Sequence, residues 1–286
     1  MVWMKWLGLL VATLTVLVVG LMAYGSWRWN KGTTALLARL EAARVPHAVV
    51  RYDPRELLRL PAPVQRYFRA ALTDRQAVIA AVSIGHAGTF NMSANAEQWK
   101  PFTSQQRVIT QRPGFDWDAR VMMFPGLPVH VHDAYIAGAG LLHGAVLGLL
   151  TVVNMADTPE MARGELMRFF AESAWYPTAL LPSQGVRWEA VDDSSAHATL
   201  TDGQLTLKLL FRFNADGLID SVRAEARGRV VDGKTVTAPW QGHYWGYVMQ
   251  EGMCVPQEGE VAWLLPEGEK PYWRGRTISS KYEFSQ

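Results

Sequence analysis

Three Asp-Gly pairs, Asp202-Gly203, Asp216-Gly217 and Asp232-Gly233, punctuate runs in which apolar and polar residues alternate. In the first run Leu205, Leu207, Leu209, Phe211 and Phe213 share one face, with Thr206, Lys208 and Arg212 on the other. In the second, Val222, Ala224, Ala226 and Gly228 oppose Arg223, Glu225, Arg227 and Arg229. A period of two is that of a strand, whose successive side chains leave opposite faces of the sheet. Asp-Gly supplies the positive φ that tight hairpins need. Strand patterns recur over residues 78–92, 106–111, 115–124, 240–248, 259–265 and 272–284. Tandem hairpins specify an antiparallel meander, because a parallel sheet needs a long crossover between each pair of strands.

One stretch of this half of the chain has helical spacing, residues 158–175. Thr158 can cap its start and Pro159 suits the first helical position, where no backbone donor is needed. Within GELMRFFAESAWYP (164–177), Glu165, Arg168 and Glu172 fall on one face with two ion-pair spacings. Ala162, Leu166, Phe169, Phe170 and Ala174 form the opposite, apolar face, and Arg163 points into it. The expected fold class is α+β: an antiparallel meander, shaped as an open half-barrel, wrapped around this central helix over residues 76–286.

Two further segments precede it. Residues 1–29 read as a transmembrane anchor, since no charge interrupts the run from Trp6 to Trp27 and about 20 apolar residues span a bilayer core. Trp3, Trp6, Tyr24, Trp27 and Trp29 sit at its two ends, as interface aromatics do. Ala23-Tyr24-Gly25 also has the small-x-small form of a signal-peptidase site, although the apolar run exceeds the usual signal core. Residues 30–75 read as a helical stalk, with helical spacing over 33–44, 54–60 and 64–72. The uncharged stretch 134–153, with Gly140, Gly144 and Gly148 four apart, offers either a second membrane helix or a buried or membrane-leaning hairpin or helix that covers an opening in the sheet.

The chemistry is less legible. With 28 basic against 26 acidic residues, the chain carries no polyanion footprint, and no nucleic-acid partner is expected. The single cysteine, Cys254, cannot form an intramolecular disulfide. Gly138, Gly140 and Gly144 imitate a dinucleotide loop, but the βα units such a loop requires are lacking, so no cofactor is expected. His130 and His132 share one face of a strand, a metal-ligand spacing, with Asp133 next in sequence. A catalytic metal needs a third ligand and an open position; only His143, Glu165 and Glu172 offer themselves, and none is set by spacing, so no metal is expected.

The segments LPAPVQRYFRAAL (60–72), WKPF (99–102), FDWDAR (115–120), DAYIAGAG (133–140) and GELMRFFAESAWYPTALLP (164–182) resemble a family of bacterial membrane-anchored proteins known only as a domain of unknown function. That resemblance implies no catalytic residue. A meander around a helix is also similar, at the level of fold, to the half-barrels of periplasmic lipoprotein carriers.

The function these features suggest is a non-enzymatic envelope protein that binds a lipid or other amphiphile in the concavity of its sheet. Leu166, Phe170, Trp175 and Tyr176 would line the site, with Arg163 at its rim. Its place would be the bacterial inner membrane, as a single-pass protein with the main domain extracytoplasmic. The alternatives are a structural or interaction module of a membrane complex, with a membrane-protein partner, and a metal-dependent hydrolase at His130 and His132. A hollow concave face would favour binding, and a filled one the interaction module.

Overall fold

The computed structural model describes residues 2–46, 48–93, 96–231 and 234–286. The Asp232-Gly233 turn lies outside the described residues. Among the described residues there are three α-helices: α1 (Val2–Ala42), α2 (Ala62–Ala71) and α3 (Pro159–Ala171). The first half of the sheet comprises β1 (Ile79–Asn91), β2 (Trp99–Ile109), β3 (Gly114–Phe124), β4 (Leu127–Ile136), β5 (Ala139–Val146) and β6 (Leu150–Ala156). The second comprises β7 (Arg187–Asp192), β8 (Ser195–Asp202), β9 (Leu205–Phe213), β10 (Ile219–Val231) and β11 (Lys234–Trp245). A small hairpin of β12 (Val248–Gln250) and β13 (Met253–Val255) follows, then β14 (Glu258–Leu265) and β15 (Gly268–Phe284).

Among the described residues, thirteen strands form one antiparallel sheet in the order β6-β5-β4-β3-β2-β1-β15-β14-β11-β10-β9-β8-β7. The chain therefore enters the sheet at its middle, steps outward to the β6 edge, crosses to the β7 edge, and steps back to pair β15 with β1. The crossing is made by α3 and three single-turn 3-10 helices over 172–184. Because those turns join the two free edges, α3 must lie across the concave face, where it packs against β3, β4, β5, β9 and β10. The sheet stays open, as expected, and α3 occupies its concavity.

The turn chemistry works as the sequence indicates. Gly203 and Gly217 have φ of +57° and +79°. Thr158 caps α3 by accepting the Met161 N–H at 3.2 Å, with Pro159 in the first turn. Thr158→Ala should cost about 1 kcal/mol, read as a Tm lower by about 2–4 °C; an unchanged Tm would show that the hydroxyl does not cap in solution.

One expectation needs correction, and one alternative is decided. The helical spacing over residues 33–44 does not belong to a separate stalk helix, because α1 runs unbroken to Ala42. Gly25, Trp29, Thr33, Leu36 and Leu40 recur at helical spacing and form a stripe that docks on the outer face of the sheet. Leu40 is fully buried against Ala81, Ile109, Ala134 and Ile136. Farther along, Leu57, Val64, Tyr67 and Phe68 are buried in the main core, so residues 30–75 are part of the packed domain. Residues 134–153 form the end of β4, the β5 strand and the start of β6, which excludes the second membrane helix and retains the hairpin.

The alternation of β10 also breaks. A bulge between Ala224 and Arg227 shifts the phase by one residue, so Ala226 faces out and Arg227 turns in.

Candidate functional site

The concave face beneath α3 carries a charge cluster in an otherwise apolar core. Gln106, Trp117 and Asp133 are direct cross-strand partners on β2, β3 and β4 and therefore project from one face together. Arg168, from the last turn of α3, descends onto them. Its guanidinium lies 5.0 Å from the Phe115 ring centroid and 4.9 Å from that of Trp117. Nη1 donates to Asp133 Oδ2 and Nε to Glu172 Oε1, both at 2.6 Å. Gln106 Nε2 donates to the second Glu172 oxygen at 2.7 Å. Burial opposes the Arg168 charge, but the Glu172 and Asp133 carboxylates outweigh it and hold the proton more tightly than usual.

The charged face of the helix is therefore buried as well as the apolar one. The side chains of Glu165, Arg168 and Glu172 are 7 %, 13 % and 11 % exposed. Opposite charges and hydrogen bonds, not solvent, satisfy this face. Glu165 Oε1 lies 3.6 Å from Nη2 of the inward-turned Arg227, which stacks on Trp240 at 4.6 Å. Burial and then the Asp133 charge push the Glu165 carboxyl well above its ordinary pKa, while Arg227 pulls it the other way.

His86 lies at the far side of this cluster, its ring 5.1 Å from that of Trp175 and 5.8 Å from that of Trp273. Burial, helped by the Arg168 charge, lowers its pKa to about 3. Both its ring nitrogens lack a hydrogen-bond partner among the described residues, as do Trp117 Nε1, Asp133 Oδ1, Glu165 Oε2 and Arg227 Nη1.

The residues proposed from sequence separate into two groups. Leu166, Phe170, Trp175 and Tyr176 come together in the core. Trp175 Nε1 donates to Pro256 O at 3.0 Å, and the Tyr176 hydroxyl donates to Phe169 O at 2.5 Å. Arg163 instead stays at the surface, where Nη1 donates to Thr206 O at 3.3 Å. The two best-formed cavities are small, about 160 Å3 and about 100 Å3. The larger lies between the β2–β3 turn and the end of β8, beside Asp202, which accepts from Arg112 Nε at 2.8 Å and the Tyr135 hydroxyl at 2.7 Å.

On the opposite, outer face, His130 and His132 are buried. The Trp29 ring of α1 covers them, its centroid 4.4 Å from His132, 5.2 Å from His130 and 5.3 Å from His143. Asp118 accepts from Trp29 Nε1 and from the Thr33 hydroxyl, both at 2.9 Å. His132 lies 3.2 Å from that hydroxyl and 3.3 Å from Asp116. Burial lowers the pKa of His130 and His143. Among the described residues, no group of three or more His, Cys, Asp or Glu side chains is arranged to hold a metal ion. The three rings work instead as an aromatic seat for the helix.

Residues 58–282 match a family of unknown function, DUF6920. The chain belongs to that family. No curated protein matches it. Among solved structures it is similar to a LolA superfamily protein from Nitrosomonas europaea, at 13% identity and a TM-score of 0.33, over 86% of this chain and 93% of the other. A beta-barrel-like protein of the domain of unknown function DUF1849 from Brucella abortus is also similar, at 10% identity and a TM-score of 0.22, over 72% and 99%. Neither likeness carries a functional assignment.

In this DUF6920 chain, the cluster members that sequence reasoning passed over are His86, Gln106, Trp117 and Arg227. His86 stands in phase with Val82 and Ile84, and Gln106 with Phe102 and Val108, so alternation already marked them as inward-facing. Arg227 offered no such signal, because the bulge that turns it inward breaks the pattern.

Proposed function

We propose that this protein is a membrane-anchored structural or interaction module that holds a rigid β platform at the bilayer surface. The observation that carries this reading is the filled concave face: α3 and the side chains around Phe170, Trp175, Phe211 and Trp240 occupy the space an amphiphile would need. The two best-formed cavities fall below the few hundred Å3 of a typical ligand pocket. One helix, Trp3–Ala42, contains a window long and apolar enough to cross a membrane, and its distal part is seated on the sheet. That continuity ties the platform to the anchor. We place the protein in the bacterial inner membrane with the platform extracytoplasmic; a reporter fused after Gln286 tests the orientation.

Amphiphile binding on the same face is the second reading, and the unpartnered polar atoms of His86, Trp117, Asp133, Glu165 and Arg227 favour it. A head group could satisfy them if α3 lifted. Native mass spectrometry of the detergent-purified full chain separates the two. The platform reading expects the bare chain after detergent release, with the wild type and an Arg227→Gln variant alike. A stoichiometric amphiphile retained by the wild type and lost from Arg227→Gln would replace it with the binding reading.

A further inference from the structure

We infer that the β5–β6 turn and the adjoining edge of the sheet, residues 147–152, form a second lipid contact that seats in the interface of the bilayer spanned by α1. The inference rests on α1 being a membrane anchor. The apolar window of that helix ends at aromatic and basic residues: Tyr24 and Trp27 stack at 5.8 Å, and the Lys31 ammonium lies 4.5 Å from the Trp27 centroid. Aromatic rings and cations at the end of an apolar span mark the headgroup level.

The β5–β6 turn is held at that same level by backbone contact. A Cβ added at Gly25 would lie 2.1 Å from Leu147 O, and one added at Gly148 would lie 2.6 Å from Gly25 O. Only glycine at both positions lets the two backbones meet so closely. Arg28 Nη1 then donates to Leu149 O at 3.1 Å. The depth of the turn is therefore set by α1: it lies beside residues 25–28, within about 5 Å along an axis rising 1.5 Å per residue.

The surface presented there suits lipid and not water. Leu150 and Val152 are 68% and 57% exposed on β6, an edge strand of the sheet. Val153, Met155 and Ala156, farther from the turn, are partly covered. No Asp, Glu, Lys or Arg occurs between Asp133 and Asp157. Soluble sheets commonly protect an edge with charges or proline, because an apolar edge invites pairing with another chain. This edge has neither, and burial in the interface would remove the hazard. The neighbouring β3–β4 turn extends the patch: Leu147 N donates to Pro128 O at 2.9 Å, and Phe124 is exposed, with the Lys100 ammonium 5.2 Å from its ring centroid.

The test places single cysteines in a Cys254→Ala background of the full chain, at Leu150→Cys, Tyr24→Cys and Leu58→Cys. Each is labelled with an environment-sensitive fluorophore and reconstituted into phosphatidylcholine–phosphatidylglycerol vesicles. Leu58 is a water-exposed control within the domain. The Leu150 label should be quenched by lipids carrying a nitroxide high on the acyl chain to within about twofold of the Tyr24 label, and should resist aqueous iodide. A Leu150 label quenched by iodide like the Leu58 label, with the Tyr24 label lipid-quenched, would overturn the contact and leave the anchor intact. A Tyr24 label that iodide reaches would overturn the anchor, and the contact with it. Protection of the Leu150 label from both quenchers would overturn lipid in favour of a second copy pairing along β6.

Discussion

Replacing Arg168 with methionine is expected to destabilise the protein by about 3–5 kcal/mol, a large part of the roughly 5–15 kcal/mol that usually separates folded from unfolded chains. The guanidinium neutralises Asp133 and Glu172 at 2.6 Å each while it packs on the rings of Phe115 and Trp117. Methionine keeps much of the apolar contact but leaves two carboxylates close together in a poorly solvated interior. Arg168→Lys should fall between the two, because an ammonium cannot bond both carboxylates in plane and stack on two rings. Adding Asp133→Asn and Glu172→Gln to Arg168→Met should recover much of the loss, since no uncompensated charge then remains. Denaturant unfolding of the detergent-solubilised protein measures all three. A single variant within about 1 kcal/mol of wild type would show that the cluster is solvated and does not hold α3 to the sheet.

Lowering the pH should weaken the fold through His86. The ring titrates near 6.5 when unfolded and at about 3 when folded, so the unfolded chain binds a proton that the native chain refuses. Stability is thus complete above about pH 6.5 and is lost as the pH falls from there towards about 3. At about 1.4 kcal/mol per tenfold change, that gap amounts to roughly 4–5 kcal/mol over the whole window, of which most is gone by about pH 4. His86→Leu should be at least as stable as wild type at pH 7, since neither ring nitrogen has a partner to lose. It should also show a shallower decline on acidification. His130 and His143, whose pKa values are also lowered by burial, add loss of the same sign in both proteins. Parallel declines for wild type and His86→Leu, in urea titrations across this range, would remove His86 as the source.

Local chemistry determined the parts of this protein that depend on a few neighbouring residues. The uncharged run before Trp27 is enough for a membrane-length helix, Thr158 and Pro159 start α3, and Asp-Gly pairs with period-two alternation lay down the meander. Leu166, Phe170, Trp175 and Tyr176 were legible as one apolar surface for the same reason. Only the tertiary structure decided what each surface meets. Helical spacing shows that Glu165, Arg168 and Glu172 share a face, but that face is buried because α3 is the bridge between the two sheet edges and has the sheet curled around it. The pairing of His130 with His132 was visible, whereas their burial depends on Trp29, about a hundred residues away in the chain. Arg227 turns inward through a bulge set by its pairing with β11, and Arg163 lies at the surface against the Thr206 carbonyl of β9. Periodicity reports which side chains lie together; which of those groups is desolvated depends on chain crossings and long-range pairings that no local window contains.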